Sequence, residues 1–565
     1  VNIPLPASVE AVRDSYTRHA FVADLTAGLT VAVVALPLAM AFAIASGVEP
    51  ERGLYTAIVA GFLISALGGS RFQVGGPTGA FVVVVYGVVD KFGYSGLVIA
   101  TLMAGIFLIL MGLFQFGSII KFIPYPVTTG FTAGIALIIF SSQVKDFLGL
   151  PIPKLPPDFL EQWEVYVAEA IHINHASAIL AALSVVALVT LRRFVPKAPG
   201  PLMVVAVGAL AAWGWSLPVE TIESRFGFIP NTLPAPSLPD VTWGTVKELI
   251  PSAVTIALLG AIESLMSAVV ADGMTGGRHH ANRELVAQGG ANIASAFMGG
   301  IPATGAIART ATNIRAGAKS PVAGMIHALM LLAFMFFAAP LIVKIPMASL
   351  AAILVVVAWN MAEIKHFKNI LKAPRSDALV LVATFSLTVL VDLTVAVQVG
   401  VGLAGLLFIR RMSEVTEVAH VEGSVFDLMA GESRPLPDDV DAIADREVPD
   451  GVEVYEINGP FFFGVAERLK RTLDGIGDRP AAFILRMRFV PMIDATGIHA
   501  LEEFQERCAV KGTTLILSGV APKLEHALAV YGFVKIVGAE NILPHIDAAL
   551  ARAAVILEDR ERNAR

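Results

Sequence analysis

The stretch Gly75-Gly76-Pro77-Thr78-Gly79-Ala80 recurs in looser form as Gly299-Gly300-Ile301-Pro302-Ala303-Thr304-Gly305-Ala306. Each copy is a glycine–proline breaker followed by Thr-Gly-Ala and a short, mostly apolar helix-forming run. A proline that closes irregular backbone and opens a helix leaves the first N–H groups unpaired and facing outward. With the positive end of the helix dipole, those donors make an anion site. Each copy alone also fits an ordinary glycine-rich loop between helices. Two such starts at matching places of two hydrophobic halves mark the binding site of an inverted-repeat secondary transporter.

That fold requires a bilayer, and the composition supplies the material for one. Of 565 residues 55% are hydrophobic and 16% charged, well outside the range of water-soluble domains, and the apolar content lies almost wholly before Arg411. A net charge of −6 without a basic–aromatic patch argues against a nucleic-acid partner. The single cysteine, Cys508, excludes a disulfide framework and a cysteine-based metal site. Residues 1–20 are polar and mixed and the first apolar run is long enough to span, so no cleavable signal peptide is expected. There is no P-loop and no acid–base or nucleophile constellation, so neither an ATP-driven pump nor an enzyme is expected, and no cofactor is implied.

Apolar runs fall at 26–45, 53–67, 78–89, 96–116, 127–144, 176–191 and 201–217. A second series covers 250–271, 285–298, 304–314, 322–341, 348–361, 378–390 and 394–409. The expectation is an α-helical polytopic membrane protein of 14 spans arranged as a 7+7 inverted repeat. Several runs, those beginning at Thr78 and Thr304 above all, are shorter than the ~20 residues of a full helix crossing; irregular backbone of that kind is tolerated where it lines an internal cavity. One set of alternate loops holds Arg71, Lys121, Arg192, Arg193, Lys197, Arg278, Arg283, Arg315, Lys319, Lys365, Lys368, Lys372, Arg375, Arg410 and Arg411 and is the more basic. This places both termini in the cytoplasm. The expected division is a cytoplasmic segment 1–24, a transmembrane domain 25–411, a linker 412–450 and a cytoplasmic domain 451–565.

Glu263 stands inside an otherwise apolar stretch, and a carboxylate in a membrane helix is a functional-site hypothesis by default. Ser267, four residues on, shares its helical face. A carboxyl group held away from water favours its protonated form, which suits a proton-coupling group; the alternative is a structural ion pair with Arg309. Arg309 lies four residues after Gly305 and can donate two parallel bonds to a carboxylate or sulfate. Pro37 within the first span either kinks the helix or, with Ala39, Ala41 and Ala43, leaves room for a solute. His279 and His280 have no third ligand nearby and fit a solvated loop.

Leu36-Pro37 through Phe42-Ala43, Gly53-Leu54-Tyr55, Gly69-Ser70-Arg71 and Gly76-Pro77-Thr78 together resemble the sulfate permease (SulP) family, the solute carrier 26 anion transporters that include prestin. So do Gly260 through Leu265, Asp272 through Gly276, Asn282 through Gly290, Asn292, Ala306 through Thr310 and Val357 through Met361. Within the family the chain is most similar to the bacterial DauA-like dicarboxylate branch. The resemblance implies a core domain rocking against a gate domain, a homodimer, and a substrate pocket between the Thr78 and Thr304 helix starts. Mapped by position, it brings in Leu38, Phe42, Thr78, Gly79, Ala80, Thr304, Gly305, Ala306 and Arg309 as substrate-binding residues, with Glu263 and Ser267 for the coupling ion. Leu38 departs from the polar residue of prestin-like members. Related bicarbonate carriers use the matching acidic position for sodium, so the coupling ion, H+ or Na+, stays open; no structural metal is implied. The expected activity is proton-coupled uptake of a C4-dicarboxylate or sulfate, with an anion exchanger or channel-like conductance as the alternative.

After Val415 the pattern changes to alternating strands (452–457, 482–487, 514–517) and helices (465–472, 496–508, 523–531), the signature of a small α/β domain. Val490-Pro491-Met492-Ile493-Asp494-Ala495-Thr496-Gly497 resembles the STAS domain shared by these transporters and anti-sigma factor antagonists. Ala495 stands where the antagonists carry a phosphorylated serine, so a folding and dimerisation module is expected in place of that switch, with a cytoplasmic protein partner as the alternative.

Overall fold

The computed structural model describes residues 5–13, 16–118, 124–153, 155–195, 198–240, 242–391, 393–415, 417–420, 446–461 and 480–564. The chain divides into two compact units, Val1–Ala404 and Gly405–Arg565.

In the first unit the apolar runs become helices. The first half holds α1 (Arg18–Ala45), α2 (Pro50–Leu67), α3 (Gly79–Leu113), α4 (Tyr125–Leu148), α5 (His175–Phe194) and α6 (Gly200–Gly214). The second holds α7 (Trp243–Thr275), α8 (Ala281–Phe297), α9 (Ile307–Arg315), α10 (Val322–Ile342), α11 (Met347–Met361), α12 (Arg375–Leu390) and α13 (Leu393–Val415), the last running past the unit's end. The runs expected as separate spans at 78–89 and 96–116 join in α3, broken only at Gly93, whose φ of 68° and ψ of −177° interrupt the helix. Among the described residues, seven helices are long and apolar enough to cross a bilayer by themselves. Trp213, Phe337 and Leu341 are 76%, 86% and 74% exposed, an outward apolar surface that suits lipid and not water.

The small residues flanking Pro37 serve packing. A Cβ on Gly53 would sit 2.0 Å from Ala39 O and 3.1 Å from Ala43 Cβ, so α2 presses its glycine directly onto the α1 backbone. The helix continues through Pro37.

Irregular backbone separates α2 from α3 and α8 from α9, and the two breaks meet. β1 (Gly75–Gly76) pairs antiparallel with β2 (Thr304–Gly305), in the register Gly75↔Gly305 and Gly76↔Thr304. Reciprocal ties flank the crossing: Arg52 Nη1 on α2 donates to Gly299 O at 3.4 Å, and Arg283 Nε on α8 donates to Leu67 O at 2.9 Å. Each arginine caps the far end of the other repeat's helix. Fully buried Glu284 fixes the first break: its Oε2 accepts from Gly69 N (2.8 Å) and Ser70 N (3.2 Å), and its Oε1 from Ser264 Oγ and Gln288 Nε2. Thr56 Oγ1 fixes the second by accepting from Ile301 N at 2.7 Å.

The second unit carries a five-stranded sheet in the order β3 (Glu417–His420), β4 (Val452–Asn458), β5 (Ala482–Phe489), β6 (Thr514–Ser518), β7 (Ile542–Leu543). β3 runs antiparallel to β4 and the other pairs are parallel. The longer helices among the described residues are α14 (Ala495–Lys511), α15 (Pro522–Val530) and α16 (Ile546–Ala564). Several features depart from the sequence expectation, among them β7, which follows the last expected strand. β3 lies inside the expected linker, and α16 was not anticipated, although Ile546, Ala549 and Ala553 form a helical stripe buried on the sheet. The remainder of that linker (421–445) and the expected helix at 465–472 lie outside the described residues.

Cys508 is fully buried on α14, and burial pushes its thiol up to about 12. Only the thiolate reacts, and a raised pKa leaves the thiol protonated at ordinary pH. The folded protein is therefore expected to resist an aromatic disulfide reagent at pH 8 and to react promptly once denatured. Rapid stoichiometric labelling of the native protein would contradict this burial.

Candidate functional site

The β1–β2 crossing brings together residues that the chain separates widely. Ala306 N donates to Val74 O at 2.9 Å and continues the ladder. Glycine is needed here for space: a Cβ on Gly305 would lie 1.9 Å from Gln73 Nε2, and one on Gly76, whose φ is +149°, would lie 2.3 Å from Arg309 Nη1. Thr78 and Ala306, both in extended backbone, are the N-caps of α3 and α9, and no side chain caps either helix. The leading amides of both helices thus keep their donor capacity. The second helix begins at Ile307, not at Thr304, because Thr304 and Gly305 are spent on β2.

Arg309 occupies the first turn of α9 and is 3% exposed. Its Nη2 donates to Pro77 O at 3.1 Å, and its Nη1 is buried without a partner. The ion pair with Glu263 weighed from the sequence is not formed among the described residues. Glu263 instead accepts a hydrogen bond from Thr78 Oγ1 at 3.0 Å. A buried guanidinium held by a single neutral carbonyl is electrostatically incomplete, and a counter-anion is the group that completes it.

The remaining expected residues are placed as follows. Ser267 is fully buried and its hydroxyl is hydrogen-bonded to Thr310 Oγ1 at 3.0 Å; Thr310 Oγ1 accepts from Val74 N at 3.1 Å. Ser267 thus supports the crossing, and among the described residues no side-chain hydrogen bond joins it to Glu263. Thr304 Oγ1 donates to Gly260 O at 2.9 Å, tying β2 to α7. Phe42 lies against Gly79, its Cε1 3.4 Å from the glycine's Cβ position. Leu38 is buried one turn earlier on α1, and Ala80 is buried in the first turn of α3. His279 Nδ1 pairs with Asp272 Oδ2 at 2.7 Å, and no group of potential metal ligands occurs among the described residues.

The structure adds residues that sequence reasoning passed over. Met361 Sδ and Ile139 Cδ1 lie 2.9 Å and 3.3 Å from the Gly79 Cβ position and wall the first helix start beside Phe42. Gln73 fills the notch over Gly305 and donates to Ser264 Oγ at 2.8 Å. A lone glutamine just before the β1 glycines was the available signal.

In the second unit Asp494 caps α14, accepting from Gly497 N at 2.7 Å, and leaves Thr496 exposed on the first turn.

Two facing, uncapped helix starts around a buried arginine, in a bundle of lipid-length helices, define a helical membrane transporter with a C-terminal STAS domain. The comparisons agree. The chain belongs to the sulfate permease family, whose model matches residues 21–384, and a STAS domain matches residues 444–549. It is 42% identical to the candidate sulfate transporter YvdB of Bacillus subtilis (strain 168) over 94% of this chain and 98% of that protein. It is 31% identical to the bicarbonate transporter BicA of Picosynechococcus sp., over 94% of each chain. Among solved structures, the murine solute carrier 26 family member A9 anion transporter, captured inward-facing, superposes with a TM-score of 0.85 over 98% of this chain and 94% of that one. At 20% identity it shares the fold.

Proposed function

We propose that the protein is a secondary active transporter that takes up a divalent anion, sulfate or a C4-dicarboxylate, with protons by alternating access. The supporting observation is the buried Arg309, which has one neutral acceptor and lies between two uncapped helix starts. An anion seated there gains the open amides, both helix dipoles and the free guanidinium edge. Leu38, Phe42, Thr78, Gly79, Ala80, Thr304, Gly305, Ala306 and Arg309 are assigned to the substrate site, Thr304 and Gly305 by shaping it from β2. The relatives named for sulfate and for bicarbonate favour an oxyanion over a halide.

Glu263 is the proposed coupling residue, beside the site through Thr78. A proton is favoured because Ser267, the second expected ligand, is hydrogen-bonded to Thr310, while Glu263 accepts from Thr78. Sodium, with bicarbonate as substrate, is the alternative that similarity to BicA raises. The same reading places fourteen spans in a bacterial inner membrane, both termini in the cytoplasm, and two copies in a homodimer whose STAS domains form folding or partner-binding modules.

Competition by a panel of unlabelled anions against radiolabelled sulfate uptake in proteoliposomes tests the substrate class. Sulfate and C4-dicarboxylates are expected to compete. Competition by monovalent halides alone would overturn the assignment.

A further inference from the structure

A short helix, Phe159–Glu169, lies in the connection between α4 and α5 and is held by its inner face. The buried Tyr166 donates from its hydroxyl to Ser141 O on α4 at 2.8 Å. Gln162, also buried, accepts from Ser141 Oγ at 3.3 Å and donates to Pro156 O at 2.9 Å. Asp158 caps the helix start, accepting from Leu160 N at 2.9 Å. The outer face is apolar and uncovered. Leu160 and Val167, seven residues apart and so on one helical face, are 60% and 74% exposed, and Ile171 in the turn that follows is 85% exposed. Trp163 stands at the border of this stripe, partly exposed, with its ring edge-to-face with Tyr166 at 5.8 Å between centroids. Glu161 and Glu164 are exposed beside it, which makes the helix amphipathic. In chain order the stripe runs on into α5, where Ile179, Leu183 and Val186 form an exposed row on a helix apolar and long enough to cross a bilayer.

We propose that the Phe159–Glu169 helix is a lipid-binding element seated in the bilayer interface, with Leu160, Val167 and Ile171 among the acyl chains, Trp163 at headgroup level, and Glu161 and Glu164 toward water. Two observations favour lipid as the occupant. The stripe is continuous with the outward row of α5, so the bilayer that covers Ile179 borders Ile171. Its edge carries a tryptophan, whose apolar body and N–H tip suit the boundary between acyl chains and headgroups. The helix contains no Lys or Arg, so its attraction to the membrane comes from apolar burial and not from anionic headgroups. The assignment is independent of which ion the protein carries.

The test uses the full chain in proteoliposomes of phosphatidylethanolamine and phosphatidylglycerol. Leu160→Cys, Val167→Cys and Glu161→Cys are each labelled with a nitroxide, and the unsubstituted protein carried through the same labelling sets the contribution of Cys508. Power-saturation electron paramagnetic resonance then compares collisions with oxygen, which concentrates in the acyl region, and with a water-soluble nickel complex. Labels at 160 and 167 are expected to meet oxygen severalfold more than nickel, and the label at 161 is expected to show the reverse. Replacing the phosphatidylglycerol by phosphatidylcholine should leave this order unchanged. Nickel access at 160 and 167 equal to that at 161 would place the stripe in water and overturn the proposal. Labels at 160 and 167 shielded from both reagents, with dipolar broadening between labels, would put a second copy of the chain on the stripe and overturn it equally. An oxygen preference that disappears without phosphatidylglycerol would contradict burial as the source of binding.

Discussion

Arg309→Ala is expected to abolish uptake, reducing the initial rate by at least about 100-fold, while leaving the folded protein as stable as before or more so. The two effects have one cause. Losing a buried, charge-assisted contact to an anion costs about 2–5 kcal/mol, enough for that rate loss. In the absence of substrate the same guanidinium is buried against a single carbonyl, Pro77 O, with Nη1 unpaired. Removing such a charge relieves a desolvation penalty without breaking an ion pair. Arg309→Lys keeps the charge but not the planar fork, so partial activity with weakened affinity is expected. Uptake kinetics and thermal melting of the same preparations check this. A variant that still transports, or one that melts well below wild type because a structural ion pair was lost, would contradict the assignment.

Glu263→Gln is expected to separate movement of the anion from its driving force. The amide can still accept from Thr78 Oγ1 in place of the carboxylate, so the site should stay assembled. It cannot bind and release a proton. Wild-type uptake into vesicles should rise as the outside is made more acidic, since protonation from that side accompanies entry. In the variant that acid stimulation, expected to be about tenfold per unit pH gradient at most, should vanish while counterflow of labelled anion persists. Stimulation retained in Glu263→Gln would remove the residue from the coupling step. Stimulation by a sodium gradient instead of acid, lost in the same variant, would assign Na+ as the coupling ion.

The helices were legible because bilayer-length apolar runs leave little choice of structure: with no water to satisfy the backbone, they must be helical. The doubled glycine–proline motif likewise disclosed that two helix starts belong together. Their antiparallel pairing, which uses Thr304 and Gly305 as strand and delays α9 to Ile307, was not legible, since a two-residue ladder has no periodicity. Ser267 illustrates a different limit. Helical spacing placed it on the Glu263 face correctly, but its partner is Thr310, from a segment whose approach only the tertiary fold determines. Met361 and Ile139 were missed because an apolar side chain in a membrane helix gives no sign of which neighbour it meets. In the second unit β3 is four residues long and sits apart in sequence from the strand it pairs with, so no local pattern distinguished it from linker.

The seat of the anion itself is the decisive observation. A cryo-electron microscopy map of the full-length protein with a saturating transported anion should show density between the starts of α3 and α9, within hydrogen-bond reach of the Gly79–Ala80 and Ile307–Ala308 amides and of Arg309 Nη1. The same density should be absent from Arg309→Ala under identical conditions. Anion density elsewhere in the transmembrane unit, with the space between the two helix starts empty, would contradict the proposed site.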